Sequence, residues 1–430
     1  MTYKDRLQQA IPGGAHTYSR GDDQFPENAP QILKCGKGAY IYDVDNNKYL
    51  DYGMALRAVN LGYANEEVNR AAWKQIECGN NLTRASLIEL EAAELLIDLI
   101  DSVDMVKFTK NGSTATTAAI KLSKAYTGRS LIARCEEHPF FSYDDWFIGS
   151  TVMNKGVSEK DIKNTNLFSY NDIESLKLLF KEHPNKIACV ILEPSASEHP
   201  KDNFLQKVKQ LCKENGAVFI LDEMITGFRW HMKGAQHYYN VEADLCTFGK
   251  AMANGFSVAA VAGKREIMEL GSIEFKGRER LFLLSTTHGA EMSGLGAFVE
   301  TMRYMQKNNV VEHIWDYGKK LINILNETAK EFGVERSFVA GGIECSPYYL
   351  TFDKNGENSL GLRTLFAQEM IKNGVLMPWI ALSYAHGDKE LELTKKALES
   401  SFKVYKKAVD EGYEKYLIGD VIKPVFRKYN

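Results

Sequence analysis

Long apolar runs are missing from this 430-residue sequence, and no segment approaches the roughly 18 consecutive apolar residues of a membrane-spanning helix. Neither sign of charge dominates. The 53 Lys and Arg against 56 Asp and Glu leave a formal net charge of −3, without a block of either sign. A nucleic-acid footprint and a polybasic membrane face are therefore not indicated. No C-x-x-C pair occurs among the seven cysteines, an odd number scattered at Cys35, Cys78, Cys135, Cys189, Cys212, Cys246 and Cys345. They read as reduced core thiols, and no metal site is expected. Internal repeats, low-complexity tracts and Pro-rich linkers are absent too. Met1 to Gln8 is polar where a secretory leader needs an apolar stretch, so a cytoplasmic location is expected. What remains, 44% hydrophobic and 25% charged, has the composition of a globular protein of two to three domains with small-molecule partners.

The chain is organised around residues Ala217 to Phe256. Ala217-Val218-Phe219-Ile220-Leu221 follows Gly216 and reads as a buried parallel strand that stops at Asp222 and Glu223. Leu245-Cys246-Thr247-Phe248-Gly249 repeats the arrangement and stops at Lys250, with Ala251, Ala253 and Gly255 behind it. In open α/β sheets ligands collect outside the carboxyl ends of the strands. A lysine there, poorly hydrated among small residues, is expected to have a lowered pKa and to act as an amine nucleophile. Alone, Lys250 reads as a solvated lysine and Asp222 as a helix cap. Together they offer what pyridoxal phosphate requires: an amine for a Schiff base and a carboxylate that keeps the ring nitrogen protonated. A third strand end agrees. Val106 to Thr109 leads through Lys110-Asn111-Gly112-Ser113-Thr114 into an amphipathic helix that stops at Gly128. Such a helix N-terminus offers free N–H groups to a phosphate.

Leu221-Asp222-Glu223-Met224-Ile225-Thr226-Gly227-Phe228-Arg229 and Thr247-Phe248-Gly249-Lys250 resemble the class III, fold type I aminotransferases. The resemblance is nearest to their glutamate-1-semialdehyde aminomutase branch and runs from about Pro12 to Glu399. It implies a three-layer α/β large domain with a mostly parallel sheet and a smaller α+β domain. Borders are expected to give residues 1–51 to the small domain, 52–307 to the cofactor domain and 308–430 to the small domain again. Asn111, Gly112, Ser113, Phe140, Glu193, Asp222, Met224 and Lys250 are implied cofactor contacts, Lys250 and Asp222 being catalytic. Phe140 stands where an aromatic ring stacks on the cofactor. Thr286, in Ser285-Thr286-Thr287-His288-Gly289, takes the place of a phosphate ligand lent by the neighbouring subunit, so a homodimer with shared active sites is implied.

Departures gather on the substrate side. Leu56 and Arg57 replace a tryptophan and a glycine, Phe140-Phe141-Ser142 replaces Tyr-His-Gly, and a glutamate-bearing loop is missing between Trp379 and Ser383. Arg20 matches an arginine that meets a substrate carboxylate, and Arg57 is a second anion binder. Ser142, Ser195, Ser197 and Tyr384 are expected hydroxyl partners. The expected reaction moves an amine from an amino acid, L-glutamate first, to an aldehyde or ketone such as an oxidised sugar in aminoglycoside or surface-glycan synthesis. Two rivals stand beside it: the glutamate-1-semialdehyde aminomutase reaction itself, and a cofactor-binding homologue without turnover.

Overall fold

A computed structural model describes residues 1–430. Its thirteen strands are β1 Leu33–Lys37, β2 Tyr40–Asp43, β3 Lys48–Asp51, β4 Met105–Thr109, β5 Leu131–Cys135, β6 Thr165–Phe168, β7 Ile187–Leu192, β8 Val218–Asp222, β9 Leu245–Phe248, β10 Ala259–Gly263, β11 Phe338–Ile343, β12 Ser346–Thr351 and β13 Val375–Leu376. The chain divides into two units, Glu66–Val311 with Lys428–Asn430, and Met1–Asn65 with Glu312–Arg427.

The larger unit carries a seven-stranded sheet in the order β4-β10-β9-β8-β7-β5-β6. Only β10 runs against its neighbours, and β9, β8, β7, β5 and β6 pair in parallel. The carboxyl ends of six strands therefore share one edge. Strands β7, β8 and β9 are buried along their whole length, which is why their sequences are continuous apolar runs with no alternation. Helix Gly112–Thr127 begins where Asn111 caps it, the side chain accepting from Thr114 N–H, and stops at Gly128 in the left-handed conformation. Five of the seven cysteines are buried and all are free thiols. No helix is long and apolar enough to cross a membrane.

The smaller unit holds a four-stranded sheet in the order β1-β2-β3-β13 and the hairpin β11–β12. Residues 44–47 join β2 to the antiparallel β3. Helices Leu360–Lys372 and Asp388–Glu411 bring Phe366, Phe402 and Tyr405 against Phe338, whose ring centroid lies 4.7 Å from that of Phe366 and 5.0 Å from that of Phe402. Rings at such distances bury large areas and add edge-to-face attraction.

Between the units the sequence-based borders and the observed ones differ. Instead of ending at Asp51, the first segment of the small unit runs to Asn65, because residues after β3 stay hydrogen-bonded to its C-terminal part. Tyr52 N–H donates to Leu376 O, Ala381 N–H to Tyr52 O and Tyr384 N–H to Asn60 O, at 2.7–2.9 Å. The second border falls at Val311 rather than Lys307, at the start of helix Val310–Glu331. The first shift could not be read from composition, since it depends on pairings across more than 300 residues.

Candidate active site

Strand ends place the candidate residues. Asp222 closes β8, Lys250 lies two residues beyond β9, Glu193 directly follows β7, and Asn111 to Ser113 follow β4, all at the shared carboxyl edge of the large sheet. Asp222 is only 1% exposed. Its Oδ1 accepts from Met224 N–H at 3.0 Å and from the Thr247 hydroxyl at 2.9 Å, which leaves Oδ2 for a further donor. Burial pushes its carboxyl up to about 6, against the opposing pull of the Lys250 ammonium and these two hydrogen bonds. A buried carboxylate with one oxygen still to be matched suits a protonated ring nitrogen.

Lys250 sits half-buried in a left-handed conformation, φ 43°, opening a short 3-10 turn whose Ala251, Met252 and Ala253 are buried. L-residues disfavour this region, and such strain persists where packing over-determines it. Met224 supplies part of that packing. A Cβ on Gly249 would lie 2.6 Å from the Met224 sulfur, and one on Gly112 would lie 2.8 Å from it. Met224 thus fills the space that both glycines leave open, joining the lysine strand to the helix cap.

At the start of helix Gly112–Thr127 the Thr114 N–H is taken by Asn111 Oδ1 and the Ala115 N–H by Asn111 O. Gly112 and Ser113 precede the first intrahelical bond, so their N–H groups point out along the helix axis as an anion site. Ser113 is buried, and its Oγ accepts from Tyr143 N–H at 3.1 Å, which ties the loop after β5 to this helix.

That loop corrects one expectation. Ser142 is 0% exposed, and its Oγ accepts from Asp144 N–H at 3.0 Å beside Thr117 Oγ1 and Ser113 O, so the hydroxyl shapes the loop and is not offered to a ligand. Ser195 is likewise buried, donating to Glu198 O. Trp146 and Phe147 are core residues packed on Phe141. Phe140 is 48% exposed, edge-on to Phe147 with centroids 5.6 Å apart. Thr286 is exposed in a stretch without regular structure, anchored at Thr287 O by Asn81 and at Glu291 by a 2.6 Å ion pair to Lys110.

Two residues escaped the sequence reading. Thr247 is the lone hydroxyl in an apolar strand, and that interruption was the available signal. His138 is buried behind β5; its Nδ1 accepts from the Glu193 N–H at 2.9 Å, and burial lowers its pKa to about 3. The imidazole is therefore neutral, carries its proton on Nε2, and holds the backbone that presents Glu193.

In the smaller unit, Arg20 and Leu56 line one cavity of about 460 Å³ with Phe25, Asp51, Tyr63 and Trp379. Arg57 and Tyr384 are not among its lining residues; the Tyr384 ring instead packs edge-on to His313. Met54, Ala55, Leu56 and Arg57 have φ of 37°, 48°, 62° and 67° in succession. This single left-handed turn costs about 1–2 kcal/mol at each residue.

Residues 23–343 match the class-III aminotransferase family. The chain belongs to that family. It is an α/β aminotransferase whose cofactor is pyridoxal 5′-phosphate, with small-molecule amine donors and acceptors. Two similar sequences are the glutamate-1-semialdehyde 2,1-aminomutases of Francisella philomiragia, 32% identical over 410 residues (90% of this chain, 94% of that one), and of Alkaliphilus oremlandii, 33% identical over 423 residues (94% and 98%). Among solved structures, the Sphingopyxis FumI protein in its pyridoxal-phosphate form aligns over 95% of this chain and 97% of its own, with a TM-score of 0.86 and 25% identity.

The Asp222 carboxyl sets a pH dependence for cofactor binding. It is ionised above about 6 and neutral below, and only the ionised form can hold a ring N–H⁺. Affinity of the cofactor-free protein for pyridoxal phosphate is expected to fall by roughly tenfold or more as pH drops through this value, in line with loss of one charge-assisted hydrogen bond. Asp222→Asn should bind weakly at every pH and lack this step. Parallel titration profiles for the two proteins would exclude the role.

Proposed function

We propose that this aminotransferase takes its amine from an amino acid, L-glutamate first, and delivers it to an oxidised sugar or a similar polyhydroxylated carbonyl compound. One observation carries the reading of the acceptor: the cavity of about 460 Å³ in the smaller unit brings the aromatic residues Phe25, Tyr63 and Trp379 together with the guanidinium of Arg20. Apolar faces with a few fixed polar groups are the means by which a site grips a ring that carries hydroxyls. The changed position Leu56 and Trp379, after which the loop is shortened, both lie on this same cavity.

Bound pyridoxal phosphate supplies an electron sink for the carbon that bears the amine. Asp222 holds the proton of the ring nitrogen. Gly112 and Ser113 offer N–H groups to the phosphate. Lys250 holds the cofactor and, once displaced by substrate, moves the proton at the reacting carbon through its Nζ. Glu193, fixed by His138, faces the substrate side. Arg20 takes the donor's carboxylate.

The same reading includes a homodimer in which Thr286 serves the partner's cofactor. Its support is the segment that precedes Thr286 in sequence, where the apolar side chains of Ile273, Phe275 and Phe282 are exposed. Mixing Lys250→Ala with Thr286→Ala chains should restore activity in heterodimers, because one of the two sites is then intact. Heterodimers that form and stay inactive would count against it.

The similarity to glutamate-1-semialdehyde aminomutases over nine-tenths of the chain favours a second reading, in which the amine moves within one molecule. The amine-loaded holoenzyme should be offered glutamate-1-semialdehyde, 2-oxoglutarate, and free and nucleotide-linked keto sugars. The highest kcat/KM is expected for a keto sugar. Arg20→Ala should slow the glutamate half-reaction by roughly tenfold or more relative to the sugar half-reaction, as loss of a charged contact implies. Efficient formation of 5-aminolevulinate with no transfer to any sugar would establish the aminomutase reading instead.

A further inference from the structure

The left-handed turn of Met54 to Arg57 needs a reason to exist, since none of its four residues is glycine. Like any helical turn, it leaves its leading N–H groups without partners inside the turn. Two side chains take them up. Asp51 is buried at the end of β3; its Oδ1 accepts from Gly53 N–H at 2.7 Å, and its Oδ2 accepts from Met54 N–H at 3.0 Å and from the Tyr63 hydroxyl at 2.6 Å. The Tyr63 hydroxyl in turn accepts from Ala55 N–H at 2.9 Å. Three consecutive amides are thereby held by one carboxylate and one phenol.

The clamp is itself braced. Trp379 Nε1–H donates to Gly53 O at 3.1 Å, and the buried His386 lies with Nε2 3.1 Å from Asp51 O, its ring stacked on Tyr52. Burial keeps this imidazole neutral, with its pKa near 4. Burial also raises the Asp51 carboxyl, and the Tyr63 hydroxyl and the two N–H groups oppose that rise. A carboxylate buried at such cost, with its hydrogen bonds spent on two backbone amides and on the phenol that holds a third, is a device for fixing that backbone. What it fixes faces the cavity: Ala55 and Leu56 line it together with Asp51, Tyr63, Trp379 and Arg20.

We propose that Asp51 and Tyr63 are positioning residues that lock the Met54–Arg57 turn against the cavity and thereby set the enzyme's selectivity among carbonyl acceptors. The proposal rests on the reading of this cavity as the substrate side, but not on the acceptor being a sugar. Neither residue touches the reacting atoms. Their effect passes through the shape of the turn, which a right-handed or extended alternative would replace if the clamp were released.

Tyr63→Phe removes one hydroxyl and keeps the ring. In the holoenzyme, hydrogen exchange over residues 53–55, read by peptide mass spectrometry, should accelerate at least roughly tenfold, since Ala55 N–H loses its acceptor. Selectivity, taken as the ratio of kcat/KM for the best and second-best acceptors of the panel above, should narrow by about tenfold. The half-reaction with L-glutamate should change less than about threefold. Adding Ala55→Gly should recover the selectivity, because glycine adopts positive φ without a clamp. A purely structural loss would give no such rescue. Trp379→Phe, which deletes the bond to Gly53 O and keeps an aromatic ring at the cavity, should accelerate exchange in the same direction by less, and it serves as the test of the clamp if Tyr63→Phe does not fold. Unchanged exchange, an equal loss with donor and acceptor, or failure of Ala55→Gly to rescue would overturn the proposal. Accelerated exchange with narrowed selectivity in an enzyme that rejects every sugar would leave it standing and overturn the sugar reading alone.

Discussion

A carboxylate buried beside a lysine at the edge of a parallel sheet is the constraint on which the rest of this structure depends. Raising Asp222 from 3.8 to about 6 corresponds to about 3 kcal/mol against its ionised form. That figure is what remains after Thr247, Met224 N–H and the Lys250 charge have each favoured the carboxylate, and a ring N–H⁺ can complete the set. The need to bring those partners together explains local features that look unrelated: a threonine at the end of an apolar strand, glycines at 112 and 249 that make room for one methionine, and a lysine in the left-handed region. Parallel strands β8 and β9 align the two charged residues by register, with Asp222 opposite Thr247.

Much of this was legible in the sequence, because each motif is local to one strand end. Asp222, Lys250 and Asn111 to Ser113 each sit where an apolar run stops, and the direction of a buried strand decides at which edge its end emerges. The antiparallel β10 lies between β4 and β9 without disturbing this, since two reversals restore the common direction. Features set by distant pairings were not legible. Nothing in residues 52–65 announces that they pair with residues 376–384. Ser142 looked like a ligand group because a serine beside aromatics in a loop gives no sign of how many backbone groups will claim its hydroxyl. His138 was passed over for the same reason: its partner, the amide of Glu193, is 55 residues away.

Backbone strain marks both units. Lys250 holds a positive φ at the cofactor site, and Met54 to Arg57 hold four in a row beside the cavity. In each case nearby groups leave the chain little alternative: packing around Gly249 in the first, and the Asp51–Tyr63 clamp in the second. Strain held in this way gives a fixed backbone at positions where a relaxed loop would sample several shapes. The chemistry of the family and, on the proposed reading, the choice of acceptor can then be tuned by separate sets of residues.

The account stands first on Lys250 as the residue that carries the cofactor. Reducing the holoenzyme with borohydride, digesting it and mapping the cofactor-bearing peptide by mass spectrometry tests this most directly. The account predicts a single modified residue, Lys250, and no trapped cofactor in Lys250→Ala. Attachment at any other lysine, or undiminished trapping in Lys250→Ala, would contradict it.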